Sequence, residues 1–247
     1  MSAPLAKYRC LDPVQHVKTR PGMYMGSVES STSEHWVADI GEESVSVRRT
    51  HVTLVPALRK LFDEAVSNAG DASIKDGTVK RIDVSATVVD ARMCFSVRND
   101  GAGIPTAVLS DEHRMPVPEA VFGHLHSGEN LGDGERLVAG QNGLGIKLCN
   151  IFSSIFKAST RHAETGSVWA GEWRDGMRLV SSVVKPGKPK AGFVDVLFVP
   201  DEQLALGATH ADAVALFARR VLDLALTVRP GTQLFNSFYV SSRFFTN

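Results

Sequence analysis

Three groups of residues in this 247-residue sequence have the types and spacing to do chemistry on a charged ligand. The first is Glu64, Asn68 and Asp71. On a helix stepped at about 100° per residue, Asn68 falls about 40° from Glu64 and Asp71 about 20° to its other side. Acidic and amide oxygens are thereby offered along one stripe, which is equally compatible with a solvated helix boundary or an i,i+4 hydrogen-bonded pair. The second group is Asn99-Asp100-Gly101-Ala102-Gly103-Ile104-Pro105, where two glycines and a proline turn the backbone sharply. It reads either as a plain turn capped by an aspartate or as a ligand loop. It is not a dinucleotide fingerprint, because Thr106 replaces the third glycine of G-x-G-x-x-G. The third is Gly140-Gln141-Asn142-Gly143-Leu144-Gly145-Ile146-Lys147, a glycine-rich loop that opens a helix and presents backbone N–H groups to an anion. It departs from the P-loop, since Ile146 precedes the lysine and Leu148 stands where a metal-binding Ser or Thr would.

The elements that must position these groups follow from periodicity. Apolar residues Leu58, Leu61, Phe62, Ala65, Val66 and Ala69 repeat at helical spacing behind Pro56, which predicts a helix from Pro56 to about Ile74 with Glu64 at the edge of its buried face. Alternation of Ile82, Val84, Ala86 and Val88, and then of Met93, Phe95 and Val97, predicts strands over 81–88 and 92–98, the second running into the Asp100 turn. Short helices are expected near Pro118 to Leu125 and from Leu144 to Phe152, with a polar, glycine-rich stretch between them that reads as a mobile lid. Further strands are expected at 155–161, 167–173, 178–184, 193–199 and 233–240, with a helix from about His210 to Leu226. Upstream, Asp12-Pro13 starts a short helix that Arg20-Pro21-Gly22 stops, with extended chain around it, and residues 36–40 and 44–49 form a small hairpin. Strands in runs with helices interposed, lacking regular βαβ alternation, indicate an α+β fold with helices on one face of a mostly antiparallel sheet.

Composition narrows the function classes. Twenty-seven basic and twenty-seven acidic residues give no net charge, so the surface as a whole has no strong reason to grip nucleic acid. Cys10, Cys94 and Cys149 lie far apart without metal-ligand spacing, which argues against a zinc site or a disulfide framework and fits a reducing compartment. No apolar run is long enough to span a membrane, and the N-terminus lacks a signal-peptide core, so the expectation is an intracellular, soluble protein. Trp36, Trp169 and Trp173 are expected to pack on the sheet, and His124 and His126 to be helix-end or solvent-facing groups.

In this order, E-x-x-x-N on a helix, D-G-x-G-I-P after a strand and a G-x-x-G-x-G-x-K loop before a helix, the chain resembles the GHKL ATPases. Within them it is similar to the N-terminal ATPase domain of type IIA DNA topoisomerases. The likeness also runs through Asp12-Pro13-Val14-Gln15-His16-Val17, Arg20-Pro21-Gly22-Met23-Tyr24-Met25-Gly26-Ser27, Pro118 to Leu125, Asn142 to Ser153 and Arg219-Arg220-Val221-Leu222-Asp223. Its wording is closer to the eukaryotic and viral enzymes than to bacterial gyrase. On this resemblance residues 1–30 are an N-terminal strap and lead-in segment and residues 31–247 the ATPase domain.

The resemblance implies a site for ATP and Mg²⁺. Glu64 is then the general base, and Asn68 a Mg²⁺ ligand with Asp71 beside it. Asp100 is the acceptor for the adenine amino group, next to Ile104, with Gly103 keeping that pocket open. The phosphates are wrapped by Gly140, Gln141, Asn142, Gly143, Leu144, Gly145 and Lys147, while Ser127 and Asn130 contact the nucleotide from the lid and Tyr8 reaches the nucleotide of the other subunit. The implied function is an ATP-operated gate. Two copies dimerise on ATP to capture a DNA duplex for strand passage by the full enzyme, in the nucleus or in a host cytoplasm or nucleoid. The alternatives are a GHKL chaperone or mismatch-repair clamp, and a binding module whose glycine loops are structural; the RPGMYMG and NGLGIKLCNIFS segments favour the topoisomerase. Ala72 stands where the family has Asn, and Gly128-Glu129 replace a serine pair, placing a carboxylate near the phosphates. With no counterpart here of the family's transducer lysine or cleavage tyrosine, slow hydrolysis and no DNA cleavage are expected of these residues.

Overall fold

The computed structural model describes residues 11–40, 44–89, 92–109, 114–125, 143–208 and 211–241. Tyr8, Ser127, Asn130, Gly140, Gln141 and Asn142, and the expected lid around them, lie outside these residues.

Helix α1 (Pro13–Thr19) begins where Asp12 accepts hydrogen bonds from the N–H groups of Val14 and Gln15, and α2 (Gly22–Met25) follows after one turn. The expectation of extended chain beyond Pro21 therefore fails: Pro21 takes helical dihedrals, and the Met23 and Met25 N–H groups bond back to the carbonyls of Arg20 and Pro21. Strands β1 (Ser31–Ile40) and β2 (Val45–Leu54) form a two-stranded hairpin longer than alternation alone predicted. One face, through Val37 and Val52, packs on α6 (Ala211–Leu224). Trp36 lies on the other face. It is 55% exposed with the Arg49 guanidinium 5.6 Å from its ring centroid, so it does not pack on the sheet as expected.

Helix α3 (Pro56–Lys75) carries the first candidate group. Proline suits its first turn, and Leu58, Leu61, Phe62 and Val66 are fully buried, each contributing about 2 kcal/mol of gross stabilisation. Strands β3 (Arg81–Val89), β4 (Arg92–Gly101), β5 (Ser153–Arg161), β6 (Val168–Arg174), β7 (Arg178–Lys185), β8 (Gly192–Pro200) and β9 (Gln233–Ser241) make one sheet in the order β7-β6-β5-β8-β4-β3-β9. Only the β3–β9 pair is parallel. Helices α4 (Val117–Gly123) and α5 (Gly145–Ile151) complete the helical layer, and a 3-10 turn at Glu202–Ala205 precedes α6.

The core lies between helices and sheet. Phe62 of α3, Phe95 of β4 and Phe217 of α6 meet with ring centroids about 5.0 Å apart, and Phe198 of β8 joins Phe95. A second aromatic group, Phe122, Phe156, Trp169 and Trp173, underlies α4 and α5. Helix α3 is gripped from behind by α6: Leu224 fills the space where Gly70 lacks a side chain, and Arg220 pairs with Asp63 and donates to the Ser67 hydroxyl at 3.0 Å. Asp63 thus faces α6, while its neighbour Glu64 stands about 100° further round α3. The architecture is the α+β arrangement expected, with helices on one face of a mostly antiparallel sheet.

Candidate functional site

Between α3, the end of β4 and the start of α5 lies a cavity of about 690 Å³. Glu64, Asn68 and Asp71 line it from the helix, Gly103 and Ile104 from the turn, and Gly143, Leu144, Gly145 and Lys147 from the glycine-rich loop. The three groups, far apart in sequence, share one wall-to-wall space. Val97, Val194 and Val196 give it an apolar floor, and Met23 and Tyr24 close one side, with the Tyr24 hydroxyl 2.9 Å from His16 Nδ1.

Glu64 is held between two neighbours. One carboxylate oxygen pairs with Lys60 one turn earlier, and the other lies against Gly145, where an alanine methyl would fall 1.9 Å from it. A side chain at Gly145 would therefore displace the carboxylate it faces. The Glu64 bond holds the Lys60 ammonium above the usual lysine range against the opposing effect of burial. Lys147, 1% exposed, donates to the Gly143 carbonyl at 2.5 Å, and burial pushes its ammonium down to about 8. An anion in the cavity would reverse that effect.

At the other end, Asp100 does not face the cavity. Its carboxylate accepts from the N–H groups of Lys80 and Arg81 at 2.7 and 2.9 Å and so fixes the start of β3. The reason is strand parity: Met93, Phe95 and Val97 point toward the helices, Asn99 continues that series, and Asp100 falls on the other face. Asn99, 7% exposed, lines the cavity and donates an amide hydrogen to the Asp100 carbonyl at 2.7 Å. Gly103 also needs a different account. It has φ +71°, and a methyl there would fall 1.8 Å from the Arg161 carbonyl oxygen, so glycine is demanded by backbone contact with β5 rather than by an open pocket. The Ile104 N–H donates to Thr160 Oγ1 at 2.9 Å, and that hydroxyl donates to the Phe193 carbonyl.

Sequence reasoning missed several lining residues, among them Asn99, Lys60 and Asp76. Asn99 was accessible through the alternation of β4, and Lys60 through its i−4 spacing from Glu64. For Asp76, which follows α3, nothing local signals the bond it accepts from Ala102 N–H, 26 residues away. Among the described residues no group of three or more His, Cys, Asp or Glu side chains is placed to hold a metal ion. No helix among them is long and apolar enough to cross a membrane.

The family of histidine kinase-, DNA gyrase B-, and HSP90-like ATPases matches residues 53–189, the segment that holds all three groups. A DNA topoisomerase 2 of Candida glabrata is 34% identical over 244 residues, covering 98% of this chain. The chain spans 17% of that relative's length. The ATPase region of Saccharomyces cerevisiae topoisomerase II superposes with a TM-score of 0.84 at 32% identity, covering 94% of this chain and 60% of that one. The ATPase and transducer domains of DNA topoisomerase II from Balamuthia mandrillaris give a TM-score of 0.83, with 95% and 60% covered at the same identity.

Proposed function

Because the chain belongs to the histidine kinase-, DNA gyrase B-, and HSP90-like ATPase family, we propose that it binds and hydrolyses ATP as the gate domain of a type IIA DNA topoisomerase. The observation that carries this reading is the convergence of Glu64, Asn99 and the Gly143–Lys147 loop on one cavity, with apolar walls at one end and an ammonium at the other.

The adenine ring takes the valine-lined end, where the Asn99 amide is placed to bond its edge and Ile104 covers its face. The triphosphate extends toward α5, where loop N–H groups and the Lys147 ammonium meet its charge. Glu64 accepts a proton from the attacking water. The new bond forms between that water oxygen and the γ-phosphorus as the bond to the β,γ-bridging oxygen breaks, releasing ADP and phosphate. Asn68 would offer its amide oxygen to Mg²⁺, which when bound neutralises charge on the phosphates. Asp71 lies about one turn beyond and would place a second oxygen-bearing side chain near that ion. Tyr8, Ser127, Asn130, Gly140, Gln141 and Asn142 complete the nucleotide contacts in this reading. Two copies close on ATP and retain a DNA duplex, and the longer enzyme carries out strand passage wherever its DNA resides.

The test is binding and turnover with ATP and magnesium. A non-hydrolysable ATP analogue should raise the melting temperature, and Glu64→Gln should keep that shift while losing about two or more orders of magnitude in turnover. No shift for the wild type would remove the nucleotide site; undiminished turnover in the variant would assign the base elsewhere.

A further inference from the structure

The Asp76 side chain ties the end of the helix of the proposed base to the loop at the proposed adenine end. It caps α3, where its N–H bonds to the Ala72 carbonyl. One carboxylate oxygen accepts from Ala102 N–H at 2.7 Å, and the other accepts from the N–H and hydroxyl of Thr78 at 2.8 and 2.6 Å. The approach is close: a methyl on Gly101 would fall 2.6 Å from Val79 Cγ2 and 2.7 Å from the Asp76 oxygen, at a position whose φ of +124° already favours glycine. Burial works against the charged carboxylate, and its hydrogen bonds with Thr78 and Ala102, together with the nearby Arg229, outweigh that effect and hold it below the usual range.

The other ties of the same loop run to the opposite wall. The Ala102 carbonyl accepts from Ala163 N–H at 2.8 Å, Gly103 abuts Arg161, and Ile104 bonds to Thr160. Removing the Asp76 carboxylate therefore leaves the loop fastened to β5 and releases it from α3. The span between Glu64 and the loop proposed to receive the base then loses one restraint, while the packing of α3 on β4 remains.

We infer that Asp76 is a positioning residue that sets nucleotide affinity and base selectivity by holding the Gly101–Ile104 loop at a fixed distance from α3. This rests on the nucleotide-site reading above. It does not touch the reacting phosphate, so its loss weakens binding and spares the chemical step. Asparagine at this position keeps an oxygen acceptor for Ala102 N–H and restores most of the function, whereas alanine does not.

The experiment measures ATP-analogue affinity by calorimetry, and kcat and KM for ATP and GTP, on the 247-residue chain as wild type, Asp76→Ala, Asp76→Asn and Glu64→Gln. Asp76→Ala should raise Kd and KM for ATP by about tenfold, keep kcat within about twofold and narrow the ATP-to-GTP preference, with Asp76→Asn returning Kd to within about threefold of wild type. A fall in kcat at unchanged KM would mean a smaller folded fraction and overturns the inference, as does an alanine variant equal to wild type. Failure of asparagine to rescue affinity overturns it too. If wild type binds no analogue, the nucleotide-site reading falls and this inference with it. If Glu64→Gln keeps its turnover, only the assignment of the base falls.

Discussion

Replacing Gly145 with alanine separates stability from catalysis at one atom. Gly145 opens α5 without a positive φ, so alanine fits the backbone and, on helix propensity alone, favours α5 by up to about 1 kcal/mol. Its methyl, however, would stand 1.9 Å from a Glu64 oxygen and 2.7 Å from the carboxyl carbon. Ordinary contact begins near 3.4 Å, so the carboxylate must retreat by 3.4 − 1.9, or 1.5 Å. That movement pulls Glu64 from Lys60 or swings it deeper into the cavity, and a misplacement on the order of 1 Å costs about a hundredfold in rate. The expected variant melts within about 2 °C of wild type or above it and hydrolyses ATP at least about a hundredfold more slowly. Thermal melting and steady-state phosphate release measure the two quantities on the same sample. Turnover within threefold of wild type would refute the account of Glu64 as a base held against α5. A large loss of melting temperature would refute the backbone argument instead.

The two ends of β4 and the buried lysine give further tests. Asn99→Ala should weaken ATP-analogue binding by about tenfold, while Asp100→Ala should leave it within about threefold and destabilise the chain by about 1–3 kcal/mol, since two N–H groups lose their acceptor; calorimetry and chemical denaturation separate these, and the reverse pattern would restore Asp100 to the site. For Lys147 the sign follows from a folded-state value near 8 against an ordinary 10.5. The unfolded chain binds more protons across that window, so the ligand-free chain gains stability as pH rises from about 8 to 10.5, and Lys147→Met, which removes the buried ammonium, stabilises it at pH 7 and flattens that rise. Phosphate binding draws a proton onto Lys147, so analogue affinity should fall as pH rises through about 8 in the wild type; affinity independent of pH up to 10 would show that Lys147 does not meet the phosphates.

Much of this site was legible because local rules act locally. The spacing of Leu58, Leu61, Phe62, Ala65, Val66 and Ala69 fixes which side of α3 is buried, and so places Glu64, Asn68 and Asp71 at its edge. The alternation in β4 carried more than the motif did: D-G-x-G draws attention to Asp100, yet counting by twos from Met93 reaches Asn99. Here strand parity brings to the cavity the residue before the one that the motif resemblance names. What sequence could not supply were contacts between distant segments. Glycine at 103 is demanded by the Arg161 carbonyl, Gly145 abuts the Glu64 carboxylate and Gly70 the Leu224 side chain, and none of these neighbours is encoded near the glycine it meets. Trp36 misled for the opposite reason: its hairpin is covered on one face only, and alternation does not say which.

The grip of α6 on the back of α3 decides which wall of the cavity can respond to a nucleotide. With Gly70 wedged against Leu224 and Arg220 clasping Asp63 and Ser67, the long helix can neither roll nor slide without first parting from its neighbour. If Glu64 is the proton acceptor, as proposed, it is a fixed anvil, and any stroke that ATP drives would have to be delivered by the parts of the chain that come to meet it.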